Sequence, residues 1–251
     1  MLAIPPPQAH EQGKGLPPMT AAEQPPETGP DLDWRDALIP VSRRFDDPYF
    51  SLAGGLEETR HVFLAGNGLP ERLRDGFHVA ELGFGTGLNL LAVLIAHRGP
   101  GHVHYTSFEA FPMSAADMAR AVSAFPDLAD IAGPMLRQWE TGARILHFPN
   151  LTARIIIGDA RKTLPAWDGC ADAWFLDGFA PARNPELWSA DLMYEVARHT
   201  TPGGTFATYT AAGHVRRALA EAGFVVSRVP GYGRKRHMTV GHLPGSEAQS
   251  R

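Results

Sequence analysis

The residues that can do chemistry are three glycines and the acids around them. Glu81 ends the run His78-Val79-Ala80, and Gly83, Gly85 and Gly87 follow at alternate positions, with Phe84 and Thr86 between them and Leu88-Asn89 after. Glycine lets a ligand approach the backbone and takes up positive φ without steric cost. A strand, an acid, a glycine triplet and an apolar helix in direct succession therefore suit a nucleotide-like cofactor. The spacing is not the dinucleotide G-x-G-x-x-G, whose third glycine would fall on Leu88 or Leu90. Glu109 lies 22 residues past Gly87, at the end of the second expected strand, where an acid can accept hydrogen bonds from both hydroxyls of a ribose. Asp159 follows Ile155-Ile156-Ile157-Gly158 and precedes Ala160. A carboxylate there can take the exocyclic amine of an adenine or cap a helix. Asp177 opens Asp177-Gly178-Phe179-Ala180-Pro181. At the mouth of a cofactor cleft it can orient an amine and receive its proton, though an Asp-Gly turn is common in its own right. Pro181 and Pro185 stiffen that loop.

The elements that must position these groups alternate. Strands are expected at 78–82, 103–109, 152–157, 173–176, 205–209, 224–229 and 238–241, with 145–148 paired as a hairpin turned by Pro149-Asn150. Helices are expected near 88–97, 114–124 (capped by Ser114), 128–140, 186–199 and 212–222, and Pro202-Gly203-Gly204 reads as a turn. Strand–helix alternation argues for an α/β, doubly wound, mostly parallel sheet, closed by an antiparallel last strand. Ligands in such a sheet sit beyond the carboxyl ends of the strands, where Glu81, Glu109, Asp159 and Asp177 all fall. Residues 1–30 read as a disordered tail, 31–77 as a lid or small subdomain without periodicity, 78–243 as the main domain and 244–251 as a second tail.

At 251 residues the chain can bury one sizeable core. It has no run near the ~20 apolar residues of a membrane span and no signal-peptide layout. Cys170 is its single cysteine, and no C-x-x-C or H-x-x-x-H pair offers a metal site. A cytoplasmic, metal-free protein is the expectation. His97, His102 and His104 have no carboxylate or cysteine at ligand spacing, so solvated or hydrogen-bonded histidines are expected. Trp139, Trp167, Trp174 and Trp188 are expected as core or rim aromatics. The net charge of −4 is supplied wholly by the first 33 residues, five acids against Lys14. From Arg198 onward eight Lys/Arg face two acids. That basic stretch includes Arg216, Arg217, Arg234, Lys235 and Arg236, and is compatible with contact to phosphates.

An acid two residues before G-x-G-x-G resembles motif I of S-adenosylmethionine-dependent methyltransferases. The segments Pro40-Val41-Ser42, Phe45-Asp46-Asp47, Tyr49-Phe50-Ser51, Gly55-Leu56-Glu57-Glu58-Thr59-Arg60, Asp177-Gly178-Phe179-Ala180-Pro181 with Asn184-Pro185, Thr205 to Thr210, and Gly231 to Met238 narrow the resemblance. Together they resemble the methyltransferase domain of the MnmC/MnmD family, which acts on wobble uridine in tRNA. The resemblance implies a Rossmann-like class I fold and S-adenosyl-L-methionine as cofactor. Glu81, Gly83, Phe84, Gly85, Thr86, Gly87, Asn89, Glu109, Asp159 and Ala160 would hold that cofactor. It implies N-methylation of 5-aminomethyl(-2-thio)uridine at position 34, with Asp177 handling the amine. Phe179, Pro181 and Tyr209 would lie against the base, and Arg216, Arg217, Arg234, Lys235 and Arg236 against the tRNA. Bifunctional members carry an FAD-dependent oxidase that frees the amine. With no such segment here, a separate oxidase or other enzyme is expected to supply the substrate. The alternatives are methylation of another amine, in a polyamine or protein, and a non-catalytic S-adenosylmethionine- or RNA-binding module.

Overall fold

A computed structural model describes residues 29–51 and 54–245. The expected N-terminal tail therefore lies almost wholly outside the described residues, as does most of the C-terminal one. The elements in chain order are β1 (Leu32–Arg35), β2 (Ile39–Ser42), β3 (Asp47–Pro48), α1 (Gly55–Thr59), β4 (His78–Leu82), α2 (Leu88–Ala96), β5 (Val103–Glu109), α3 (Ala115–Val122), α4 (Ala129–Glu140), β6 (Ile145–Phe148) and β7 (Leu151–Ile157). They continue with α5 (Ala160–Thr163), β8 (Ala171–Leu176), α6 (Ala190–Arg198), β9 (Thr200–Thr208), α7 (Gly213–Glu221), β10 (Val225–Pro230) and β11 (His237–His242).

Eight strands make one sheet in the order β10-β11-β9-β8-β4-β5-β7-β6. The interior pairs β7/β5, β5/β4, β4/β8 and β8/β9 are parallel. Strand β11 is antiparallel to both β9 and β10, and β6 is the antiparallel partner of β7. The apolar runs of the central strands are continuous because both faces are covered. Val79, Ala173 and Phe175 face one core with Leu90, Leu91, Met118 and Met135 of α2, α3 and α4. Ala80, Leu82, Trp174 and Leu176 face the other, with Leu192, Val196 and Val215 of α6 and α7. Side chains of this size contribute about 1.5–3 kcal/mol each when fully buried, so β4 and β8 fix the centre of the molecule.

Two local expectations are revised. The helix expected over 186–199 is a 3-10 turn, Pro185–Trp188, then α6, separated by Ser189, whose extended backbone and Oγ cap α6 by accepting from Leu192 N at 3.4 Å. The Pro202-Gly203-Gly204 turn is instead part of β9, which begins at Thr200 and shifts register against β8 between Ala171 and Ala173. The extra length of a bulge absorbs the glycines without reversing the chain.

Residues 32–51 and 54–67 carry structure that the pattern did not reveal. Strands β1, β2 and β3 form a small antiparallel sheet, and α1 runs on through a wide turn at Arg60–Leu64 and a 3-10 turn at Ala65–Asn67. Asn67, 2% exposed, pins this helical run to the main sheet. Its Nδ2 donates to Phe63 O (3.0 Å) and Trp174 O (3.2 Å), and its Oδ1 accepts from Thr205 Oγ1 (2.7 Å). Replacing it by leucine strands a buried carbonyl and a hydroxyl at a cost of about 2–4 kcal/mol. Thermal denaturation of Asn67→Leu should show a midpoint lower by about 5 °C or more, and an unchanged midpoint would mean that the anchor carries no weight.

Candidate active site

Strand order reverses between β4 and β8: from β4 the chain moves outward to β5 and β7, then returns to β8 on the other side. That switch point opens a crevice beyond the carboxyl ends of the strands. Register places the groups within it. Leu82 pairs with both Phe108 and Leu176, so the residues that follow, Gly83, Glu109 and Asp177, emerge side by side. Glu109 pairs with Ile157 and brings Asp159 to the same edge. The crevice is a cavity of about 720 Å³, within the range of small-molecule sites.

Of the residues the sequence singled out, Gly83, Phe84, Gly85, Thr86, Asn89, Glu109, Asp159, Ala160, Asp177, Phe179, Tyr209 and Lys235 line the cavity. Glu81, Gly87, Pro181, Arg216, Arg217, Arg234 and Arg236 do not. Gly85 (φ +52°) is a close approach, since a Cβ there would come 3.1 Å from Tyr49 Cδ1. Gly87 has a packing task instead: with φ +78° it starts α2, and a Cβ would sit 2.9 Å from Met135 Sδ on α4.

Glu109 is held by the glycine loop itself. Its Oε2 accepts from Gly85 N (2.9 Å) and its Oε1 from Phe111 N (2.7 Å). Burial raises its pKa, and the backbone N–H groups oppose that rise. Each oxygen keeps a further lone pair for a ligand hydroxyl. Asp159 is committed differently. It caps α5 by accepting from Arg161 N (3.0 Å), and Arg161 Nη2 donates to its Oδ2 at 2.6 Å. The hydrogen-bonded Arg161 side chain holds its carboxyl below the usual range.

At the other end of the cavity, Asp177 accepts from Gly178 N at Oδ1 and from Asn89 Nδ2 at Oδ2, both at 2.8 Å. Burial raises it to about 6; these two donors and the Lys235 charge oppose the rise, while Glu58 adds to it. Asn89 Nδ2 also donates to Glu81 Oε1 (2.8 Å), and Glu81 Oε2 is 2.7 Å from Ser107 Oγ. Glu81 is fully buried and raised by that burial to about 8. It stands behind the cavity wall, joined to it through Asn89. The Tyr209 hydroxyl donates to Gly178 O at 2.8 Å, which turns its ring face to the cavity.

The third wall comes from the N-terminal segment, to which no chemistry was assigned from sequence. Phe45 stacks on Phe179 with centroids 4.7 Å apart, and Tyr49 meets the same ring edge-on at 4.9 Å. Asp47 Oδ2 accepts from Ala180 N at 2.8 Å, and Asp46 pairs with Arg183 at 2.9 Å. These contacts clamp the segment onto the loop after β8. Glu58 of α1 receives Lys235 Nζ at 2.6 Å, and the same ammonium lies 4.2 Å from the centroid of the Tyr209 ring. Lys235, expected on tRNA phosphates, thus lines the cavity although it is exposed, as are Arg234 and Arg236 beside it. The resembling segments that contain Phe45 to Asp47, Tyr49 and Glu58 were the only signal for this wall.

The cavity's parts fit S-adenosyl-L-methionine: glycines that leave room for a ligand on the backbone, an acid for ribose hydroxyls, and carboxylates where a sulfonium must be tolerated. Glu109→Ala should weaken binding of that cofactor by about 1–3 kcal/mol in calorimetry. Asp159→Asn should cost less, because Arg161 already occupies its oxygens; the reverse order would place the ribose elsewhere.

Residues 126–244 match a family model described as S-adenosyl-L-methionine-dependent methyltransferase. The chain is 46% identical over 233 residues to the tRNA 5-methylaminomethyl-2-thiouridine biosynthesis bifunctional protein MnmC of Pseudomonas paraeruginosa, covering 87% of this chain and 36% of that protein. With the protein of the same name from Stutzerimonas stutzeri it shares 45% identity over 233 residues, covering 87% and 35%. It therefore spans about a third of the length of these curated relatives. The crystal structure of MNMC2 from Aquifex aeolicus superposes with a TM-score of 0.72 at 26% identity, over 88% of this chain and 73% of that one. A class I fold, a glycine-loop cavity and these similarities place the chain in the S-adenosyl-L-methionine-dependent methyltransferases, as a member of the MnmC methyltransferase-domain family.

Proposed function

We propose that this domain methylates the primary amine of 5-aminomethyl(-2-thio)uridine at wobble position 34 of tRNA, giving the 5-methylaminomethyl form. The observation that carries the reading is Asp177, an acid raised to about 6 that shares one cavity with the glycine loop. The names of the MnmC relatives supply the substrate class. An FAD-dependent oxidase or another enzyme supplies the aminomethyl group on the tRNA.

S-adenosyl-L-methionine, when bound, supplies a methyl group activated on sulfur. The remaining work belongs to side chains. An alkylamine has a pKa near 10 and arrives as an ammonium. Ionised Asp177 attracts that ammonium, orients its nitrogen and accepts a proton from it. The aromatic wall of Phe179, Tyr209 and Tyr49 excludes water and gives the pyrimidine faces to lie against. Lys235 and Glu58 stand beside Tyr209 as a paired cation and anion.

Outside the cavity, Arg217, Arg234 and Arg236 are exposed and Arg216 is half-buried. In this reading they meet the phosphates of the tRNA, whereas Lys235 contributes to the acceptor site.

A tritiated-methyl transfer assay comparing bulk tRNA, polyamines and protein extract tests the substrate class. Label in tRNA is expected; label confined to either of the others rejects the reading. Asp177 must be ionised to hold the ammonium, so the single-turnover rate should fall as pH drops through about 6. Asp177→Asn should lower the rate at neutral pH and abolish that inflection while leaving cofactor affinity near wild type.

Each phosphate contact releases counterions, so removing one flattens the log–log salt dependence by ~0.7–0.9. Filter retention across a salt series should show that flattening for Arg234→Ala with Arg236→Ala. Lys235→Ala should slow transfer with little change in slope. Wild-type slopes in the double variant would put the tRNA on another face.

A further inference from the structure

We propose that Asn89 is a positioning residue whose carboxamide, clamped by Thr59 and Glu81, holds the Asp177 carboxylate in the direction from which it meets the acceptor nitrogen. The inference rests on the reading of Asp177 as the group that handles the amine. An asparagine side chain offers two donor hydrogens and one acceptor oxygen. Here all of them are engaged: Oδ1 accepts from Thr59 Oγ1 at 3.0 Å, and Nδ2 donates to Glu81 Oε1 and to Asp177 Oδ2, each at 2.8 Å. The amide can stand only this way round. Reversed, its oxygen would face two carboxyl oxygens.

Asn89 is 5% exposed, so the clamp works where water competes little. With Gly178 N on Oδ1, Asp177 is fixed at both oxygens, and its remaining lone pairs point at whatever the cavity holds. Asn89 has no hydrogen left for a cofactor. Although it follows the glycine loop, its effect should therefore appear in methyl transfer rather than in cofactor affinity. Glu81 completes the clamp. Raised to about 8, it is mostly protonated at neutral pH, so it offers Asn89 a neutral oxygen, with Ser107 Oγ beside its other one. The amide is then drawn most strongly toward the ionised Asp177.

The test compares wild type with Asn89→Leu, Thr59→Val and Asp177→Asn, using tRNA that carries 5-aminomethyluridine at position 34. Three quantities are measured: the single-turnover rate from about pH 5 to 9, S-adenosyl-L-methionine affinity by calorimetry, and the thermal midpoint. Other charged and titratable groups near Asp177 stay in place, namely Lys235, Glu58, Glu81, Tyr105 and Tyr209. The Asn89 N–H favours the ionised carboxylate, so its loss should move the acid limb to higher pH, by about one unit. Asn89→Leu should also slow transfer at neutral pH by about tenfold or more, with cofactor affinity within about threefold of wild type. Thr59→Val, nearly isosteric, should shift the limb in the same direction by less, and it decides the matter should Asn89→Leu fail to fold. An unmoved acid limb in the folded variants overturns the proposal. So does a loss of cofactor affinity with a wild-type rate at saturation. Asp177→Asn separates the two levels: at full rate it removes the reading of Asp177, whereas a slow Asp177→Asn beside a wild-type Asn89→Leu removes only the clamp.

Discussion

Three carboxyl groups are buried within one turn of the glycine loop, and the arrangement of the site follows from the need to satisfy them. An ionised carboxylate taken out of water without partners is too costly to keep. The chain answers in a different way for each. Glu109 is solvated by the N–H groups of Gly85 and Phe111, and so shapes the loop it serves. Asp177 receives Gly178 N and the Asn89 amide. Glu81 has only side-chain donors and moves toward its neutral form. Of the alternating glycines, Gly85 is thus tied to an acid: at positive φ it aims its backbone N–H at the strand-end carboxylate of Glu109 beside it.

The second dependence is on the N-terminal segment. The sheet alone would leave Asp177 and Phe179 on an open edge. The ring contacts of Phe45 and Tyr49, the Asp47 bond to Ala180 N and the Glu58–Lys235 pair turn that edge into a cavity. Lys235 and Glu58 are 177 residues apart in sequence, so the wall closes only when both segments are folded onto the core. The Lys235–Glu58 pair stands at a cavity wall, with Glu58 well buried and Lys235 half exposed. Its contribution lies in placing charge at the cavity wall more than in stability.

Much of this was legible in sequence, for identifiable reasons. Strands β4 and β8 are almost wholly buried, and the runs over 78–82, 103–109, 155–157 and 173–176 end at or beside Glu81, Glu109, Gly158 and Asp177, so the switch-point acids could be found from the chain alone. Their hydrogen-bond partners could not. Asp159 could be read from sequence as an adenine ligand or a helix cap; the structure shows the cap and adds the Arg161 side chain on its oxygens. Lys235 sat in a run of three cations, and only tertiary packing singles it out for Glu58. Strands β1 to β3 are two to four residues long, too short for a period of two to show.

The chemistry proposed for Asp177 closes on proton affinity. Between an unperturbed aspartate and an alkylamine lies a gap of about six pH units, too large for an aspartate to serve as an effective base. Burial raises Asp177 to about 6 and closes roughly a third of it. The same low-polarity wall disfavours the ammonium and narrows the gap from the other side. The neighbouring phenols cannot share the task, since burial pushes Tyr49 and Tyr209 upward, away from ionisation. They remain neutral surfaces. What is left is one carboxylate, held at both oxygens, whose basicity comes from the wall that shields it. In the proposed reading of Asp177, excluding water and tuning the base are the same act.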